Sequence, residues 1–141
     1  MLIKCLLLCF VINSAMSGPV YIDELEDLVA EGPDRYELKM LDRNKQMIRS
    51  EKQQRLNEIL ARQTPYIQQA YSAKVLYEMN KRIAKAQYEQ QMANLRGHGN
   101  FAAQMNAIRN DMSISSAEAD RRKKELRRQY YAAYPSAREI A

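Results

Sequence analysis

The sequence predicts an all-α fold, and three observations predict it. No segment alternates apolar and polar residues with period two for long, while apolar residues recur at three- and four-residue steps. Glycines and prolines, four of each, fall between the periodic stretches and not inside them. The expected architecture is an elongated bundle of about four to six helices with one long central helix.

The first seventeen residues read as a secretory signal peptide, residues 1–17: a short positive start through Lys4, an apolar run Cys5 to Ile12, then small and polar residues. The expected cut follows Ser17, with Ala15 and Ser17 at the two positions that require small side chains. An apolar run this short falls below the roughly 20 residues that cross a hydrocarbon core, and nothing later supplies a transmembrane segment. The expected product is a secreted, extracellular single helical domain, residues 18–141. Both cysteines, Cys5 and Cys9, leave with the signal, so that domain is cysteine-free and is held together without disulfides.

A short helix carrying Ile22, Leu25, Leu28 and Val29 is expected to stop at Gly32 and Pro33. Asp34 with Glu37 has capping-box spacing and opens a helix through Leu38, Leu41 and Ile48; Ser50 with Gln53 opens another through Leu56 and Ile59, with a break near Ser50. Thr64-Pro65 starts the long helix, because proline suits the first helical position. Ile67, Tyr71, Val75, Met79 and Ile83 follow at four-residue steps, and the helix runs from Tyr66 to about Arg96, roughly 45 Å at 1.5 Å per residue. "GHGN" at 97–100 ends it, Phe101, Met105 and Ile108 mark a short helix, and Ser115 with Glu118 caps a last one that Pro135 stops.

Chemistry is sparse. The cysteine-free domain has one histidine, His98, which excludes thiolate zinc sites, cysteine nucleophiles and clustered imidazoles. "RGHGN" fits neither a P-loop nor a dinucleotide fingerprint and reads as a turn. Asp111, Ser113 and Ser115 alternate as in a calcium loop, but Ser116 and Arg122 stand where an EF-hand needs Gly and Glu. No Ser, His and Asp arrangement has recognisable context, so the protein is expected not to be an enzyme.

Charge is uneven within a net +5. Asp23 to Asp34 holds six acids and no base; Arg121 to Arg128 holds six bases and one acid, a polarity by which the ends attract each other or meet different partners. Asp23, Glu26 and Asp27, at i, i+3 and i+4, are the candidate metal ligands, for calcium or magnesium. On a helical wheel Ala119, Leu126, Tyr130 and Ala133 share a dry arc, and Arg121, Lys124 and Arg128 gather opposite. Those three are the candidate anion-binding residues; the alternative function they define is a basic-helix binder of anionic polysaccharide or a membrane surface. Processing at "RRKK" is disfavoured because the run lies inside a helical pattern, and nucleic acid is not an expected partner.

Together, "RSEKQQRLNEILARQTPYIQQAYSAKV" and "AIRNDMSISSAEADRRKKELRRQYYAAYPSAREI" resemble the nematode SXP/RAL family of secreted antigens over roughly residues 36–141. Leu56, Ala61, Ile67 and Tyr71 echo that family's first motif; Pro135, Arg138, Glu139 and Ile140 echo its last. The helix between Ile114 and Pro135 is about one turn longer than the family's. The resemblance implies a secreted helical protein without catalytic residues, acting by binding divalent cations or an extracellular protein partner.

Overall fold

The computed structural model describes residues 20–139. The segment read as a signal peptide lies outside them, as does Ile140. Within the described residues the chain is helical throughout, without a named strand: α1 Ile22–Glu26, α2 Pro33–Arg43, α3 Arg49–Ala61, α4 Pro65–Leu95, α5 Gly99–Asn110 and α6 Ser116–Ala133, then a 3-10 turn Pro135–Glu139. The all-α, elongated bundle with one long helix is the observed architecture. None of these helices is long and apolar enough to cross a membrane.

Local chemistry sets several boundaries as expected. The Thr64 hydroxyl accepts from the Ile67 amide with Pro65 in the first turn, and the Ser115 hydroxyl accepts from the Glu118 amide. Gly97 takes φ 78°, the left-handed angle that stops α4 and turns the chain into α5.

Other boundaries differ. Helix α1 ends at Glu26; the next residues turn, with the Leu28 and Val29 amides donating to the Leu25 carbonyl. Gly32 precedes α2 instead of terminating α1. Asp34 and Glu37 cap nothing: both accept from Arg62 Nη2 at 2.8 Å, and this pinning of α2 to the end of α3 outweighs a local cap. The break expected near Ser50 falls at residues 44–48, and Ser50 is already inside α3, its amide donating across the molecule to the Met112 carbonyl.

That long-range bond belongs to a junction of two loops built alike. Loop 44–48 opens on Asn44, whose Oδ1 accepts from the Gln46 and Met47 amides. Loop 111–115 opens on Asp111, whose Oδ1 accepts from the Ser113 amide and hydroxyl. Each therefore starts with an Asx turn at a helix end and runs into the next helix. The loops meet in an antiparallel bridge between Ile48 and Ser115, reinforced by Arg49 amide to Ile114 carbonyl and Ala117 amide to Lys45 carbonyl.

Two buried or half-buried cations complete the junction. Arg49 Nη1 donates to the carbonyls of Ile108, Arg109 and Asp111 at 3.1–3.2 Å, capping the exposed end of α5. Lys52, 4% exposed, donates Nζ to the Asp42 carbonyl in the last turn of α2. Both charges sit where a helix presents unpaired carbonyls and the negative end of its dipole. Burial, with help from Lys45, pulls the Lys52 ammonium below the usual lysine range, while Asp42 opposes.

The main core lies on one side of this junction: Ile22 and Leu25 of α1, Leu38 and Leu41 of α2, Leu56 and Ile59 of α3, and Tyr71 and Val75 of α4. Beyond it, among the described residues, the buried apolar side chains are Met105, Ile114 and Ala119. Tyr71 is enclosed in the main core and its hydroxyl has no partner; burial first, then the nearby Glu24, raises its pKa.

Two outcomes follow from this packing. Tyr71→Phe removes an unsatisfied hydroxyl at constant shape, so the variant is expected to be more stable by about 1–2 kcal/mol in urea unfolding. Arg49→Leu strips three carbonyls of their donor and is expected to cost roughly 2–4 kcal/mol in the same experiment; a loss below about 0.5 kcal/mol would mean that water replaces the guanidinium freely.

Candidate functional site

The turn at Gly97 lays α5 back along the second half of α4, and the two helices do not close fully against each other. Between them runs a groove of about 660 Å³, with Met79, Ile83 and Ala86 on its α4 wall and Asn106 and Asn110 on α5. The gap has a sequence cause: beyond Met79 and Ile83 the facing positions carry alanine and amide side chains, where a closed helix pair carries larger apolar ones. Arg82 closes one end, donating to the Asn110 side chain and to the Tyr21 hydroxyl. Gln90 sits at the other, donating to Asn94 Oδ1 and to the Gly99 carbonyl at 2.9 Å each.

Aromatic rings hold the far end of the hairpin. Phe101 stacks on Tyr130 with ring centroids 4.2 Å apart, Tyr134 lies 5.1 Å from Tyr130, and His98 meets Tyr130 edge-on. The Tyr130 hydroxyl shares a hydrogen bond with His98 Nδ1. His98, read from sequence as a turn residue without a carboxylate partner, thus has a phenol partner 32 residues away. Burial, then Tyr134 and Tyr131, raises the Tyr130 pKa.

The candidate metal ligands are not brought together. Asp27 pairs with Lys74 at 3.2 Å, Glu26 lies 4.0 Å from both Arg35 and Lys39, and Asp23 is exposed. Among the described residues no group of three or more His, Cys, Asp or Glu is placed to hold a metal ion. The acidic and basic ends do not attract each other either, since no ion pair among the described residues joins 23–34 to 121–128.

The basic run is instead partly paired on its own helix, with the three acids Glu118, Asp120 and Glu125. Arg121 makes two bonds to the Glu118 carboxylate and Arg122 a third; Arg128 makes two to Glu125; Lys123 pairs with Asp120. Of the three candidate anion-binding residues, Arg121 and Arg128 are engaged this way and Lys124 is exposed. The dry arc is observed in part: Ala119 is buried, Leu126 and Tyr130 half-buried, Ala133 exposed.

No protein-family model, no curated protein and no solved structure matches the chain. The fold and groove by themselves define a helical protein with a ligand-sized cleft and, in that cleft, no paired nucleophile and base.

The α6 pairs predict a pH response. Hydrogen bonds from Arg121, then Arg122, hold Glu118 down at about 2, and those from Arg128, then Gln129, hold Glu125 at about 2. Because both values are depressed on folding, their stabilisation is fully present above the ordinary glutamate value of 4.5 and is lost as pH falls toward about 2. Carboxyl carbon shifts followed by NMR are expected to give midpoints near 2 for both residues; midpoints at the ordinary value would mean that these pairs do not persist in solution.

Proposed function

We propose that this chain is a secreted, non-catalytic helical protein of the nematode SXP/RAL type that acts by binding an extracellular ligand in the groove between α4 and α5. The single observation that carries the reading is the groove itself. Its volume of about 660 Å³ falls within the range of small-molecule sites, and its lining combines an apolar floor with hydrogen-bonding edges. Met79, Ile83 and Ala86 suit an apolar body, while Asn106, Asn110 and Gln90 offer donors and acceptors. The ligand class is therefore an amphipathic molecule with an apolar portion and polar groups that the amides and the Arg82 guanidinium at one end of the groove would meet. Divalent cations, the other branch of the expectation, find less support, because Asp23, Glu26 and Asp27 are separated or already paired with bases.

The test is titration of the chain lacking residues 1–17 with the apolar probe 1-anilinonaphthalene-8-sulfonate, against the variant Ala86→Trp, which fills the groove. One saturable site in the parent, weakened at least tenfold in a variant of unchanged circular dichroism, is the expected result. Equal binding by both would remove the groove from consideration. Calorimetry against calcium and magnesium, run beside it, is expected to give no saturable heat; a saturable heat would restore the cation branch.

A further inference from the structure

We propose that the exposed face of α4 is a self-association surface whose occupant is α4 of a second copy of this chain. On a wheel at 100° per residue with Leu76 at zero, the six charged residues of α4, Lys74, Glu78, Lys81, Arg82, Lys85 and Glu89, fall within roughly a 100° arc. The arc from about −20° to 120° holds none. Every residue in it from Tyr66 to Leu95 is uncharged, and all but Ala70 are exposed along the whole length of the helix, roughly 45 Å. Leu76 is 60% exposed, Tyr77 66%, Ile83 50% and Tyr88 64%.

The face repeats every seven residues. Ala73, Asn80, Gln87 and Asn94 form one row, and Leu76 and Ile83 a second one three residues on. Seven-residue spacing suits a helix lying along another long helix, because it keeps both rows at the seam. A partner of matching length is available in a second α4. Lack of charge favours a copy in particular. In a two-fold interface a patch meets itself, so charges near the axis face their own kind, and this face carries none. Amides suit the arrangement as well, since Asn80 and Gln87 each both donate and accept and so pair with their own images.

Area points the same way. A standard interface takes roughly 800 Å² from each partner. Tyr66, Leu76, Tyr77, Ile83, Tyr88 and Leu95, exposed between 50% and 81%, expose an area of that order, about 800 Å². Ile83, Gln87 and Gln91 also border the groove, so the association surface and the proposed ligand site adjoin; the association does not require the groove to be occupied.

The test uses sedimentation equilibrium of the chain lacking residues 1–17 at up to roughly 100 μM, together with single cysteines placed in that cysteine-free background. The parent is expected to show a dimer mass, and Leu76→Glu with Tyr77→Glu to weaken self-association at least tenfold at unchanged circular dichroism. Asn80→Cys is expected to form a disulfide-linked dimer in mild oxidant, and Lys85→Cys, on the charged arc, to form no disulfide cross-link. A monomeric parent over the whole range, a dimer indifferent to the two glutamates, or equal cross-linking from both cysteines would each overturn the proposal. Ligand titration at the groove is read separately with Ala86→Trp, so failure of one idea does not disguise failure of the other.

Discussion

The junction of loops 44–48 and 111–115 is the constraint on which the rest of the molecule depends. It joins two helix pairs, α2 with α3 and α5 with α6, that are about 65 residues apart in sequence and otherwise share little core. An isolated backbone bridge is a weak device, worth about one or two net hydrogen bonds. What fixes it here is that both loops arrive already shaped, by Asx turns at Asn44 and Asp111, and that Arg49 then reaches three carbonyls on the opposite helix. Arg49 belongs to α3 and caps α5; Lys52, one turn later on the same helix, caps α2. One helix face thus supplies the positive charge that two helix C-termini require.

The same arrangement explains why the region resembles a cation site without being charged like one. A calcium loop brings carboxylates inward around an ion. Here the carbonyls converge as they would on an ion, but the positive charges are covalent parts of the chain, and the acid of these loops, Asp111, turns to Ser113. A guanidinium spreads its charge over several donors and is less strongly hydrated than an ammonium, so Arg49 can serve three acceptors at modest desolvation cost.

What the sequence made legible was what neighbours in the chain decide. The long helix, its Thr64-Pro65 start, its stop at Gly97 and the Ser115 cap all depend on residues within four positions of each other, and each was readable. The errors have a common origin in long-range partners. Asp34 and Glu37 have perfect capping spacing but find Arg62, and Ser50 leaves its expected cap because Met112 offers a carbonyl. The side of α6 opposite its dry arc was legible, and so, at three- and four-residue spacing, was the pairing of the basic run with Glu118 and Glu125, which offsets part of its charge. Neither the groove nor the bond between His98 and Tyr130 had a local signature; both exist only once Gly97 folds α5 back onto α4.

Helix α4 then ties these levels together. Its first half closes the main core through Tyr71 and Val75, and that anchorage holds the second half straight where there is little core to support it. A helix in this position presents three distinct arcs: one packed on or bordering α5, one charged and hydrated, and one neither charged nor covered. An uncharged exposed arc gains nothing for solubility, and a charged residue there would cost no packing. Leu76 and Ile83 stand on it seven residues apart and Tyr66, Tyr77 and Tyr88 eleven apart, together with amides that can satisfy one another. Coverage by another helix accounts for that pattern, and the charged arc, with Lys81 paired to Glu78 and Lys85 to Glu89, is where such an assembly would meet water.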